Sequence, residues 1–274
     1  PKWAPLRLRP VGLPAPNVAS PWTLKGTSAP PPTGIYGTID RDEATMERVK
    51  RWRPEIASIE GRFVDASNAT LLGQTTDGVR VVYKPSAGER PLWDFPPDSL
   101  AMREVLAYEV SEALGFGLVP ETVLADGPFG PGSVQRFVEH DPGFDPVPLV
   151  RAESERLWPM AAFDVLVNNA DRKLGHILDV AGSLVGIDHG LTFHPEDKLR
   201  TVLWVFAGSP LPHNVVVALE RLASAMSAGL AERIGDELGA RSMVALESRL
   251  AALREARVHP DPPDDRPPLP WPLY

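Results

Sequence analysis

Apolar and polar positions change period along this chain. In residues 61–85, GRFVDASNATLLGQTTDGVRVVYKP, the apolar residues fall in two short runs, around Ala69 to Gln74 and Val79 to Lys84, which predict two strands. The Asp77-Gly78 pair between them suits a hairpin turn. In DSLAMREVLAYEVSEALGFG the period lengthens to that of a helix. Asp98 or Ser99 is the expected cap, Val105, Tyr108, Ala113 and Leu114 the buried stripe, and Gly115 the stop. VPETVLADG and GSVQRFVEH predict two further strands. From Glu155 onward RLWPMAAFDVLVNN, NVVVALERLASAMSAGLAERIGDELG and SMVALESRLAALREA predict helices. A strand-rich half followed by a helix-rich half predicts an α+β chain of two lobes with a cleft between them.

Prolines mark the ends. Of 31, nine lie in residues 1–32 and seven in 260–274, so both ends are expected as extended arms, more loose than docked. The expected organisation is a Pro-rich arm over 1–55, a β-rich lobe over 56–140, a helical lobe over 141–257 and a Pro-rich tail over 258–274. The formal net charge of −8 without a basic run speaks against nucleic acid. The absence of cysteine excludes disulfides, thiol catalysis and cysteine-based zinc sites. No stretch is long and apolar enough for membrane insertion, and the expected location is cytoplasmic.

Candidate chemistry concentrates in NNADRKLGHILDVAGSLVGIDHG, residues 168–190. Phosphoryl transfer needs an acid near the attacking hydroxyl and ligands for the cation that bridges the phosphates. Asp171, His176 five positions on, and Asp188 after a short apolar strand have that order, and Gly190 would let the backbone turn where Asp188 enters the cleft. Lys84, at the end of its strand, precedes Glu104 in the next helix by twenty residues; a strand lysine paired with a helix glutamate orients nucleotide phosphates in kinase folds. His176, His189 and His194 do not have the spacing of a three-histidine zinc site, and His189 and His194 are expected to be structural.

In unbroken order over roughly residues 60–210, VYKP, REVLAYEVSEALGFGLVPET, GSVQRFVE, DVLVNNADRKLGH and GIDHGLTF resemble the phosphatidylinositol 3-/4-kinase-like superfamily. The likeness is greatest to type II phosphatidylinositol 4-kinases and their bacterial relatives, with HipA-type kinases more distant. It implies a two-lobed protein-kinase-like fold with ATP and Mg²⁺ or Mn²⁺ as cofactors. Lys84 would contact phosphates with Glu104, rather than Glu109 or Glu112, as its partner. Gln135, Phe137 and Val138 would face adenine, Ser67 and Asn68 would cap the phosphates, and Asp188 with His176 would hold metal. Asp171 would act on the acceptor hydroxyl, with Arg172 and Lys173 beside the developing charge.

The chain departs from that family in three places. His176 stands where the family has asparagine, DASNAT has no glycine pattern, and the membrane-tethering cysteine cluster is absent. GERPLWDFP reads as a lid over the cleft, as part of a substrate pocket, or as a clamp between lobes. In the segment 191–208, Lys198 and Arg200 are candidates to meet an anionic substrate, or they are solvated surface residues. The implied activity is transfer of the γ-phosphate to an unidentified hydroxyl: an inositol-type lipid, a soluble small molecule or a protein Ser or Thr. The alternatives are a nucleotide-binding regulator without transfer, an AMP-transferring variant, and a scaffold that binds no nucleotide.

Overall fold

The computed structural model describes residues 8–9, 52–64, 66 and 68–274. The expected N-terminal arm therefore lies almost wholly outside the described residues, as does Ser67. Six strands form one antiparallel sheet: β1 (Leu8–Arg9), β2 (Ile56–Phe63), β3 (Leu71–Thr75), β4 (Arg80–Pro85), β5 (Thr122–Gly127) and β6 (Gly130–Arg136), in the order β1-β2-β3-β4-β6-β5. The β3–β4 turn places Gly78 at φ 84, a conformation that glycine adopts without steric cost.

β2 carries no clean alternation, and its pairing with β3 shows why. The register shifts twice, between Ile56 and Ser58 and between Ile59 and Gly61, so inward positions do not recur every second residue.

β4 alternates as its sequence demands. Val81 and Tyr83 are buried in a small cluster with Leu71 and Val134, while Lys84 looks the other way, opposite Ser133 of β6. Against β5 and β6 lies α1 (Leu100–Leu114), which also packs on the later helices. Being covered on both sides, α1 buries ten of its fifteen residues rather than one stripe, Arg103, Glu104 and Ser111 among them. Its first turn is not capped by Asp98 or Ser99. Leu100 and Ala101 donate their N–H groups to the carboxylate of Glu89 instead, at 3.4 and 3.1 Å. Gly115 ends the helix in the left-handed region at φ 73.

The C-terminal part is helical: α2 (Val147–Arg151), α3 (Trp158–Val167), α4 (His213–Ala225), α5 (Ala231–Leu238) and α6 (Ala240–Ala256), with one hairpin, β7 (Ile177–Val180) and β8 (Ser183–Gly186), inserted after α3. Its core joins Leu106, Val110 and Leu114 of α1 to residues such as Phe163 and Leu166 of α3, Leu219 of α4 and Leu250 of α6. Each side chain of this kind contributes about 1.5–3 kcal/mol on full burial.

The 258–274 segment departs from the loose tail expected of its prolines. It packs as an irregular strap on the helical part. Pro268 C=O accepts from Thr201 N (3.2 Å) and Trp204 Nε1 (2.8 Å), Leu273 C=O accepts from Leu174 N (2.8 Å), and Pro270 is buried. Proline fixes an extended backbone in advance and leaves its carbonyl free to accept, so the strap loses little freedom on docking.

One residue shows how closely the sheet is packed around Lys84. A Cβ added at Gly132 would stand 2.2 Å from Lys84 O and 2.7 Å from Pro85 Cα, both backbone atoms that cannot rotate away. Gly132→Ala is expected to destabilise the chain by about 1–3 kcal/mol. Urea unfolding checks this, and an unchanged midpoint would show that β4 and β6 are not so close.

Candidate active site

Lys84 is the meeting point of three elements. Its Nζ donates to Glu104 Oε1 on α1 and, at 2.9 Å, to Asp188 Oδ1 just past β8. Glu104 is held from the other side by Ser133 Oγ, which donates to Oε2 at 3.1 Å. Gly190 does not supply the turn at Asp188 that its position suggested. Asp188 itself takes the left-handed conformation, at φ 61, while Gly190 sits where a Cβ would lie 3.4 Å from Leu100 Cβ and 3.7 Å from Glu104 Oε1. The glycine serves close approach to α1, and the backbone strain falls on the acid, as is common at functional sites.

The loop between α3 and β7 is fixed by a residue that its own sequence context placed elsewhere. Arg172 was expected beside the reacting groups. It is instead fully buried, 0% exposed, with Nε and Nη2 on Asp164 of α3 at 2.9–3.1 Å. Its Nη1 reaches the carbonyls of His176 and Ile187 at 3.3 Å, and its Nη2 lies 2.7 Å from His189 Nε2, which accepts. Asp164 also accepts from Asn169 Nδ2 (2.9 Å) and Thr201 Oγ1 (3.1 Å). Asn169 Oδ1 in turn takes the N–H of Asp171 at 3.0 Å. Arg172 therefore positions the loop from behind and cannot touch a ligand. Asp164, Asn169, Thr201 and Ser133 were not among the residues expected from sequence. A charged residue inside the apolar run FDVLV was the one signal that pointed to Asp164.

Asp171 is partly exposed and pairs with Lys173 Nζ at 3.0 Å. His176 lies across from Asp188, Nε2 to Oδ2 at 3.5 Å, and its Nδ1 is 3.0 Å from Asp171 C=O. That contact requires the proton on Nδ1 and leaves the Nε2 lone pair toward Asp188. An imidazole lone pair and a carboxylate side by side suit a divalent cation. Among the described residues no three His, Asp or Glu side chains gather closely enough to hold a metal alone. Further ligands would come from phosphate oxygens and water.

The residues expected around the nucleotide are placed unevenly. Asn68 Oδ1 accepts from Arg90 N at 2.9 Å, so it ties its loop to the following segment. Gln135 shares the sheet face of Lys84 but is buried, with its amide nitrogen on Thr122 Oγ1 at 2.8 Å. Phe137 stacks under the Arg80 guanidinium (4.3 Å), and its N–H donates to Arg80 C=O. Val138 C=O accepts from His140.

The GERPLWDFP stretch joins the two parts. Asp94 pairs with Lys198 at 2.9 Å, Asp94 C=O accepts from His194 Nε2, and Phe95 meets the His194 ring edge-on. Lys198 thus has a carboxylate partner within the chain and lies under Trp93, which is 91% exposed. His189 and His194 are both buried and hydrogen-bonded to protein groups.

No protein-family model matches the chain. Protein Rv2133c of Mycobacterium tuberculosis (strain ATCC 25618 / H37Rv) is 42% identical to it over 256 residues, covering 79% of this chain and 92% of that protein. The chain belongs to the Rv2133c family. Among solved structures, hydra Fam20 with sugar is similar at a TM-score of 0.53 and 14% identity, over 80% of this chain and 89% of that one. The Golgi casein kinase is similar at 0.50 and 13%, over 74% and 73%. At such identities the likeness concerns the fold, and this Rv2133c-family chain has a kinase-like fold, an antiparallel sheet followed by a helical part. No helix among its described residues is long and apolar enough to cross a membrane.

The electrostatics of the Rv2133c-family site follow from burial and from Lys84. Burial alone would lower the Lys84 ammonium, but the carboxylates of Asp188 and Glu104 outweigh it and hold the group well above its ordinary value. Lys84 in turn holds the Asp188 carboxyl far below the usual carboxylate range. Burial pulls His176 down to about 4, so its imidazole is neutral at pH 7. Burial raises Asp171 to about 6, against the pull of Lys173.

In the unfolded chain the Asp171 carboxyl ionises near pH 4. Between about pH 4 and 6 the folded state therefore holds more protons, and this group's contribution to stability falls as pH rises through that window. Asp171→Asn is expected to stabilise the chain at pH 7 by roughly 1–3 kcal/mol, with the gain shrinking as pH falls toward 4. Urea unfolding at several pH values checks this. A gain that does not change with pH would assign the effect to something other than this carboxyl.

Proposed function

We propose that the chain is an ATP-dependent phosphotransferase of the phosphatidylinositol 3-/4-kinase-like type, moving the γ-phosphoryl group of ATP to a hydroxyl of an acceptor. The observation that carries this reading is Lys84 in contact with Glu104 and Asp188 at once, with Asp171 on the loop that the buried Arg172 anchors. The fold shared with a protein named as a kinase supports it.

Lys84, oriented by Glu104, grips the α- and β-phosphates. Asp188 and His176 would hold Mg²⁺ or Mn²⁺, which when bound neutralises charge on the bridging phosphate oxygens. Phe137 C=O and Val138 N–H, which have no hydrogen-bond partner among the described residues, read the adenine edge. Asp171 accepts the acceptor's proton as its oxygen bonds to the γ-phosphorus and the bond to the β-phosphate oxygen breaks, releasing ADP. Lys173 at 3.0 Å keeps that carboxylate in place. A carboxyl raised to about 6 is well matched to taking a proton near neutral pH. Positioning and fixed charge supply most of the rate. The lobes divide as residues 56–140 and 141–257, and the location is cytoplasmic, in keeping with a cysteine-free chain.

His176 favours a second reading. Magnesium prefers oxygen ligands, and an imidazole in this position suits a nucleotide-binding regulator without transfer. ATP consumption measured with Mg²⁺ and with Mn²⁺ separately distinguishes the two, and nucleotide-induced thermal stabilisation without turnover in either ion favours the regulator. The mass added to product separates phosphoryl from AMP transfer. For the transferase, Asp188→Ala is expected to reduce turnover to background. Asp171→Asn is expected to lower kcat by about 10²–10⁴-fold with nucleotide affinity nearly unchanged. Parent-like ATP turnover in both variants would remove this site from consideration.

A further inference from the structure

Apart from these residues, a hollow of about 970 Å³ lies between α6, the 195–208 segment and the strap at 258–266. Lys84, Asp171, His176 and Asp188 do not line it. Along α6 it is floored by Val244, Ser248, Ala252 and Ala256, which recur every four residues and so share one face. Val244 is largely exposed there.

The wall of this apolar hollow carries polar groups that have no hydrogen-bond partner among the described residues. Arg249 donates Nε to Leu166 C=O at 2.8 Å, but its Nη2 is buried and has no hydrogen-bond partner. Among the described residues no carboxylate lies within ion-pair distance of Arg249. The acid that acts on it, Asp197, is paired with Arg266 at 2.6 Å. His259, 1% exposed, has Nδ1 on Pro260 C=O at 2.9 Å and Nε2 with no partner. Arg266 Nε is likewise buried and unpartnered. A guanidinium nitrogen withdrawn from water without a partner is costly. A concave apolar surface with a few convergent polar groups is the general form of a small-molecule site.

We propose that this hollow binds a small amphiphile with one anionic head, in the simplest case a carboxylate, its head on the Arg249 guanidinium and its apolar tail along α6. Of the guanidinium nitrogens not engaged by Leu166, Nη1 is the one left to meet a carboxylate oxygen. From Arg249 to Ala256 the helix rises roughly 10 Å, the length of a medium-chain tail.

The test uses the full chain with decanoate, decanol and decyltrimethylammonium, each below its micelle threshold, followed by calorimetry and thermal unfolding. Decanoate is expected to bind saturably at one site and raise Tm, decanol to bind about tenfold more weakly, and the cation not to bind. Arg249→Met should abolish the preference for decanoate over decanol with the circular dichroism of the parent. Ala252→Trp, which fills the hollow, should remove binding of both. If Arg249→Met does not fold, Ala252→Trp and the head-group comparison in the parent decide the question. Equal affinity for decanoate and decanol, binding of the cation, undiminished binding in Ala252→Trp, or no saturable binding would each overturn the proposal.

Discussion

An arginine cut off from water must find acceptors on every side, and those that Arg172 finds come from separate elements within residues 164–189. Asp164 comes from α3, the carbonyls of His176 and Ile187 from the two sides of the hairpin, and His189 from beyond it. Asp171 precedes this arginine by one residue, and Asp188 lies between Ile187 and His189, so both acids are set by the same cation. Removing one partner of a buried pair of this kind leaves the other charge uncompensated, typically at about 3–5 kcal/mol. The network is therefore rigid by necessity, and it fixes both the loop that carries Asp171 and the turn from which Asp188 reaches Lys84.

Around that anchor the site has a simple division of labour. Fully buried groups set position, and groups that keep some exposure are left for chemistry. Asp188 keeps 52% of its side chain exposed although it contacts Lys84, whereas Arg172 and Asp164 keep none. The left-handed backbone at Asp188 belongs to the same pattern. An Asp tolerates φ 61 at modest cost, and the surrounding hydrogen bonds hold it there.

Much of this was legible before any coordinates. The short apolar runs of β3 and β4, the turn at Gly78, the helix-rich half and the order of Asp171, His176 and Asp188 are all local features, and local features are what one sequence displays. What escaped was long-range or compensatory. β2 hid behind two register shifts that broke its alternation. The N-terminal cap of α1 came from Glu89, which reaches it across an intervening loop. Arg172 looked like a group for substrate because it follows Asp171. Only its burial against Asp164, a partner eight residues earlier on a helix, shows that it faces inward. Gly190 looked like a turn residue and proved to be a clearance residue, since the part of the helix it must approach lies nearly ninety positions upstream.

The strap has a consequence for the order in which the molecule is assembled. Leu174, three residues past Asp171, finds its acceptor on Leu273, roughly a hundred positions later, and Thr201 finds its own on Pro268. A chain emerging from the ribosome exposes the loop with Asp171 long before those carbonyls exist. The final bonds around that loop therefore close only after the helical part has been synthesised.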